Sequence, residues 1–282
     1  MNLLNGKEVS AKVLERIAAE ARGMPVQPCL AVIVVGDDPA SHIYVSNKRK
    51  ACEQVGFRSL EHALPADYGQ EKLLALIAKL NANETVHGIL CQDPLPKNCG
   101  YDARAVCSAI SPEKDVDVFH PINAGKLMLG EPAFLPCTPA GVMELLRDAG
   151  IPLEGKHVVI VGRSNIVGKP MALLALQANA TVTVCHSRTK NLATHTRAAD
   201  ILIAAVGILN FITADMVKDG AVVVDVGINR LEGKKLRGDV DFDAVSEKCS
   251  AITPVPGGVG PMTIAMLMQN TLTAAKLSLN KN

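Results

Sequence analysis

VVIVGRSNIVGKPMALLAL, residues 158–176, decides the fold. Four β-branched residues run into Gly162, and Gly168 follows six positions later at the start of an apolar stretch with helical spacing. A strand that stops at a glycine and passes into a helix is the opening step of a dinucleotide-binding sheet. The first glycine permits the tight turn and the later one lets the helix pack closely. Ser164 stands where the middle glycine would be, so the loop is a G-x-S-x-x-x-G variant. Further along, TVTVC (181–185), ADILIAAVG (199–207) and AVVVDVGINR (221–230) supply three more strand candidates separated by helical patterns. Together they suffice for a nucleotide-binding sheet.

The end of the second strand bears on the choice of cofactor. An NAD-binding chain carries an acid there to hold the ribose hydroxyls. This chain has His186-Ser187-Arg188-Thr189 instead. With no carboxylate at that point, and with Arg163, Ser187 and Arg188 able to collect around a phosphate, charge favours NADP over NAD.

Toward the N-terminus the same alternation continues, which argues an α/β fold with mainly parallel sheets. LAVIVV (30–35) reads as a strand ending at Gly36. Asp38 suits a helix N-cap, Pro39 the first helical position and Gly56 the stop. A second helix is expected over Glu71–Asn81, and HGILCQ (87–92) is expected as a strand stopped by Asp93-Pro94. PCTPAGV (136–142) introduces a helix expected from about Gly141 to Gly150, linking two domains. The tail after Gly260 is helical and apolar all round, so it should pack against other elements.

Length and composition bound what remains. At 282 residues two domains are expected, although a single α/β barrel has the same size range. Lys and Arg (29) nearly balance Asp and Glu (28), so there is no electrostatic footprint for nucleic acid. The apolar runs are too short to span a bilayer, and residues 1–20 lack a signal-peptide core, so a cytoplasmic protein is expected. Eight cysteines without a CxxC pair read as reduced core thiols, with no metal site expected.

Candidate chemistry lies in the N-terminal half. Tyr44 and Lys48 are four apart, one above the other on a helix face. A lysine acts as a base only if burial brings its pKa well below ~10.4. Gln92, at a strand end, is placed to orient it with a hydrogen bond. Lys48 also belongs to a Lys48-Arg49-Lys50 run of the kind found on solvated helix faces. Asp115 and Asp117, expected on one side of an extended segment, are suited to accept paired hydrogen bonds from an amidine-like N–H edge. His120 reads as structural. TPVPGGVGPMT (253–263) forms a rigid turn with little bulk, which a flat ligand can approach.

Taken together, VGDDPASHIYVSNKRKACEQVGF, HGILCQDPLP, SPEKDVDVFHPINAGKL, PCTPAGV, the 158–174 segment, DVGINR and ITPVPGGVGPMT resemble the bifunctional methylenetetrahydrofolate dehydrogenase/methenyltetrahydrofolate cyclohydrolase family, in family order from about residue 30 to 270. The resemblance implies an N-terminal α/β folate-binding catalytic domain (1–139 plus 265–282), a Rossmann-like NADP-binding domain (140–264), a cleft across the two and a homodimer. It implies NADP-dependent oxidation of 5,10-methylenetetrahydrofolate and hydrolysis of the product to 10-formyltetrahydrofolate. Lys48 would be the catalytic lysine, tuned by Gln92, with Tyr44 stacking on the aminobenzoyl group and Asp117 holding the pterin. Pro256 and Gly257 would lie beside the folate, and Gly162, Arg163, Ser164, Ser187 and Ile228 would contact the cofactor. Three positions depart from the pattern: Asp93 replaces a small apolar residue, Val118 a glycine, and Ile208-Leu209 a Lys/Arg-Pro pair. On strand alternation Asp93 is expected to face away from Gln92.

Overall fold

A computed structural model describes residues 1–231 and 235–280. Residues 232–234 and the last two of the expected 265–282 segment lie outside the described residues. The chain divides into two compact units, one of Met1–Ala11 with Thr138–Thr263, the other of Lys12–Cys137 with the segment from Ile264.

The first unit holds the sheet expected from the glycine loop. Its strands are β1 (Asn2–Leu3), β5 (His157–Val161), β6 (Thr181–Cys185), β7 (Ile201–Ala204), β8 (Val222–Asp225) and β11 (Ala251–Ile252), in the order β1-β11-β8-β7-β5-β6. Every neighbouring pair is parallel. The runs of β5, β7 and β8 are apolar because both faces are covered: Val159, Val161, Leu202, Ala204 and Val223 join one buried cluster, and Val158, Ile160, Ile201, Ile203 and Val224 on the other face are buried too. β1 and β11 extend the sheet through two-residue pairings that no periodicity announces. Residues 1–11 therefore stand with this unit. A small antiparallel pair, β9 (Asn229–Arg230) and β10 (Leu236–Arg237), follows β8.

In the second unit β2 (Cys29–Val35) is flanked by β3 (Arg58–Leu64) and β4 (Gly88–Cys91), all parallel. Helix α2 (Pro39–Val55) has the caps read from the sequence. The Asp38 carboxylate accepts from the Ser41 N–H, Pro39 opens the helix, and Gly56 closes it in the left-handed conformation. Helix α3 (Gln70–Ala82), expected over Glu71–Asn81, buries Leu73, Ile77 and Leu80 along one face. β3 escaped the sequence reading because it is an edge strand of mixed polarity, with no residue fully buried. Helix α1 (Gly6–Arg22) and two short helices, α4 (Ala103–Ala109) and α5 (Pro121–Leu129), were also unforeseen, and the first unit adds the short helices α8 (Leu192–Thr196) and α9 (Phe242–Ser246).

Helix α6 (Cys137–Asp148) begins four residues before the expected start at Gly141. Pro139 falls in its first turn, where a missing N–H leaves no hydrogen bond unmade. The C-terminal helix α10 (Val259–Leu279) is buried along most of its length, with Ala265, Met268, Leu272 and Ala275 inaccessible or nearly so. That accounts for its apolar character all round.

Candidate active site

In the second unit, α2 and the end of β4 bring the expected pair together. Lys48 Nζ donates to Gln92 Oε1 at 2.7 Å. Gln92 is fixed in turn, since its backbone N–H donates to Ile33 O and its side-chain amide to Asp93 O. Lys48 is half-buried, one turn from half-buried Tyr44. Burial lowers the Lys48 pKa from the ordinary lysine range, against the opposing pull of Asp117. The solvated-face alternative is thereby excluded for Lys48. Its neighbours Arg49 and Lys50 do face solvent.

The two aspartates of the KDVD segment part company. The segment is a turn, not the extended run expected, because Val118 has a φ of +65° and reverses the chain. Asp115 is buried inside that turn, its carboxylate accepting from the Phe119 and His120 N–H groups and from Asn123 Nδ2 at 2.8 to 3.1 Å. It shapes the turn and is spent internally. Asp117 is left facing Lys48 and Cys137; burial raises its pKa, and Lys48 works against that rise. His120 caps α5 by accepting from the Ile122 N–H, the structural role expected.

Cys137 and Asn270 are site residues that sequence reasoning missed. The Cys137 thiol, pushed well up by burial, lies against Asp117 and the carbonyl of Val116. Asn270 Nδ2 donates to Val116 O and Leu135 O, both at 2.8 Å, pinning the turn from α10. The available signal was a pair of amides, Gln269 and Asn270, inside the apolar run AMLMQNTL. Asp93 is exposed, and the charges acting on Lys48 are those of Asp117 and Cys137, not of Asp93.

Val118 sits where a β-branched residue is strained, at a cost of about 1–3 kcal/mol. Its side chain is buried, which contributes about 1.5–3 kcal/mol in the other direction. The two nearly offset. Val118→Gly is therefore expected to move the Tm by less than about 4 °C in thermal unfolding, and a larger rise would mean that strain outweighs packing.

The nucleotide loop is built in the first unit. Gly162 has a φ of +135°, and a Cβ there would lie 2.2 Å from Ala205 O. At Gly168 a Cβ would come within 2.3 Å of Gly162 O, where helix α7 (Gly168–Gln177) begins. Both glycines are thus required by close backbone approach, as the sequence suggested. Ser164 Oγ accepts from the N–H groups of Val167 and Gly168 where the loop enters the helix. β6 ends in a turn closed by Thr189 N–H to His186 O and His186 N–H to Thr189 Oγ1, both 2.8 Å. Its tip presents Ser187 and Arg188 to solvent. Gly162 N–H donates to Cys185 O, so exposed Arg163 leaves the adjoining strand end. The donor set, two arginines and two hydroxyls with no acid at the tip, fits a phosphorylated dinucleotide.

Ile228, in the loop after β8, is 41% exposed. Pro256 and Gly257 also belong to this unit, where Gly257 O accepts from the Lys7 N–H. The unit therefore does not group them with Lys48, Gln92 and Asp117. Ile208 and Leu209 are exposed in the loop after β7.

One unit is a parallel sheet with a dinucleotide-type glycine loop and the other carries a half-buried lysine held by an amide beside an aspartate, the make-up of a two-part α/β oxidoreductase. Two family models match: residues 4–117 the tetrahydrofolate dehydrogenase/cyclohydrolase catalytic domain, residues 136–279 the NAD(P)-binding domain of the same enzymes. A bifunctional FolD protein from Acetivibrio thermocellus is 59% identical, covering 98% of this chain and 97% of its own. A crystal structure of the bifunctional FolD methylenetetrahydrofolate dehydrogenase/cyclohydrolase from Campylobacter jejuni has a TM-score of 0.95 at 54% identity, over 98% of this chain and 99% of that one. The Trypanosoma brucei enzyme, solved with NADP cofactor and an inhibitor, has a TM-score of 0.93 at 40% identity, over 98% of each chain. The chain belongs to the tetrahydrofolate dehydrogenase/cyclohydrolase family. It is a bifunctional enzyme, a methylenetetrahydrofolate dehydrogenase using a nicotinamide dinucleotide and a methenyltetrahydrofolate cyclohydrolase.

Proposed function

We propose that the Lys48, Gln92 and Asp117 cluster performs the hydrolysis and seats the folate for both reactions, and that the glycine-loop unit binds NADP in preference to NAD. The lysine-amide contact carries the first assignment: a buried amine held by a neutral partner keeps its depressed pKa, whereas a carboxylate partner would restore its charge. When bound, NADP supplies the hydride acceptor for the methylene carbon. The resulting methenyl cation is stabilised by the folate's own nitrogens, so the protein's task in oxidation is positioning. Hydrolysis needs more. Water adds to the cationic carbon, gives up a proton, and one carbon–nitrogen bond then breaks to leave the 10-formyl product. Neutral Lys48 accepts one proton from the water and returns it to the departing nitrogen, and the proton left on the added hydroxyl goes to solvent as the formyl C=O forms; the cationic substrate further disfavours a charged amine beside it.

Asp117 takes the N–H edge of the pterin and Tyr44 stacks on the aminobenzoyl ring. Gly162, Arg163, Ser164 and Ile228 contact the cofactor, and Ser187 with Arg188 takes its 2′-phosphate. The assignment of Pro256 and Gly257 to the folate rests on family resemblance, as does a homodimer; a cytoplasmic location without nucleic-acid or membrane partners rests on the balanced charge and short apolar runs of the sequence. Among the described residues no helix is long and apolar enough to cross a membrane.

The test follows NADPH and the methenyl intermediate separately after mixing enzyme, 5,10-methylenetetrahydrofolate and NADP. NADPH with little methenyl accumulation is expected; accumulation of methenyl would remove the hydrolytic role from Lys48. Replacing Ser187 and Arg188 together by Ala is expected to raise the NADP KM about tenfold or more and leave the NAD KM unchanged. Equal effects on both cofactors would defeat the 2′-phosphate assignment.

A further inference from the structure

Beneath the loops that leave β7 and β8 lie two aspartates to which the chemistry above gives no part. Asp239 is inaccessible and Asp225 is 3% exposed. Asp239 Oδ2 accepts from the N–H groups of Val206 and Gly207 at 2.6 and 2.9 Å, and its Oδ1 accepts from Asn229 Nδ2 at 3.0 Å. Asp225 Oδ1 accepts from the N–H groups of Gly227 and Asp239, and Oδ2 from that of Val240, all at 2.9 Å. The Asp239 carboxylate thus ties the loop after β7 to Asn229 beyond β8, and that of Asp225 ties the loop after β8 to the segment that follows β10.

The surrounding backbone is cut to fit these carboxylates. A Cβ at Gly238 would stand 1.8 Å from Asp225 Oδ2, and one at Gly227 would stand 2.1 Å from Asp239 Oδ1. Ile228 lies between two residues the knot holds, Gly227 by its N–H and Asn229 by its amide. Its backbone position is fixed from both sides while its side chain stays exposed.

The sheet order shows which part of the cofactor this serves. β8 is three strands from β6, in the order β8-β7-β5-β6. At about 4.8 Å per strand the two ends are separated by about 14 Å along the edge where parallel α/β sheets bind ligands. A dinucleotide anchored by its 2′-phosphate at Ser187 and Arg188 extends its other half toward the ends of β7 and β8.

We propose that Asp239, backed by Asp225, is a positioning pair that holds the loops after β7 and β8 as the seat of the nicotinamide half of the cofactor. This rests on the cofactor assignment made above. A carboxylate is required at 239 because every group facing it is a donor. Asparagine has the same shape but sets an NH2 group against either the Val206 and Gly207 N–H groups or the Asn229 amide.

The experiment measures binding of NADPH and of adenosine 2′,5′-bisphosphate to the purified full chain by calorimetry. Asp239→Asn is expected to weaken NADPH at least about tenfold and to change the bisphosphate less than about twofold, with the KM for methylenetetrahydrofolate unmoved. Unchanged NADPH binding would overturn the proposal, as would equal loss of both ligands, which marks general loosening of the unit. If Asp239→Asn does not fold, Asn229→Ala leaves both carboxylates in place and is expected to show the same split at about threefold; its absence there overturns the proposal equally. The Ser187→Ala/Arg188→Ala chain separates the two levels. If its bisphosphate affinity is unchanged, the cofactor assignment itself fails; if that affinity falls while Asp239→Asn shows no split, only the positioning pair fails.

Discussion

Lys48→Met is expected to lose about a thousandfold or more of methenyl hydrolysis while oxidation of the methylene substrate falls less than about tenfold, because proton transfer of this kind is worth ~10²–10⁴ and only the hydrolysis uses it. Methionine retains the length and apolar stem of lysine and cannot carry a proton. Single-turnover measurements on each half-reaction check the split, and an equal loss in both would show that Lys48 binds rather than relays. Lys48→Arg serves as the companion variant. Its guanidinium stays protonated at any working pH, so hydrolysis should fail there as well, although a cation remains in place. Recovery of hydrolysis in Lys48→Arg would mean that charge, not basicity, is what the site uses. In the native enzyme the lowered Lys48 pKa places the rise of hydrolysis with pH below the ordinary lysine range.

What the sequence disclosed and what it withheld follow from the range of the forces involved. The caps of α2 were legible because Asp38, Pro39 and Gly56 act on backbone within a few residues of themselves. The glycine loop was legible because close approach to Ala205 and Gly162 admits no side chain. Three strands of the nucleotide unit, β5, β7 and β8, could be read from apolar, largely β-branched runs buried on both faces, and the edge strand β6 from its β-branched TVTV. β1 and β11 could not, since two-residue strands carry no period and are held by partners about 250 residues apart in the chain. The pairing of Lys48 with Gln92 across 44 positions was suggested by a helix following one strand and a glutamine at the end of the next, and the family resemblance sharpened it; the lowered pKa depends on burial by elements that no local pattern names. The divergence of Asp115 and Asp117 turned on the φ of Val118, a residue type that gives no warning of a left-handed turn. Cys137 and Asn270 joined the site from α6 and α10, distant in sequence and silent in composition.

Asp117→Asn tests the other half of the site and separates binding from proton traffic by a different signature. If the carboxylate holds the pterin through two charge-assisted hydrogen bonds, its loss is expected to raise the KM for folate about a hundredfold in both reactions, since bonds to a charged group are worth about 1.5–3 kcal/mol each and the amide offers a donor where an acceptor is needed. A second effect follows from the neighbour. Asp117 raises the Lys48 pKa by its negative charge. Removing that charge lets burial lower the lysine further, so the pH at which hydrolysis rises is expected to move to lower values in Asp117→Asn. At saturating folate, hydrolysis per bound substrate should therefore hold up better at acid pH than in the native enzyme. Steady-state kinetics of both reactions across a pH series decide the matter. An unchanged KM would remove Asp117 from the pterin, and an unmoved pH profile would show that its charge does not reach Lys48. A raised KM together with an acid-shifted profile requires one carboxylate to hold the substrate while setting the basicity of the group that hydrolyses it.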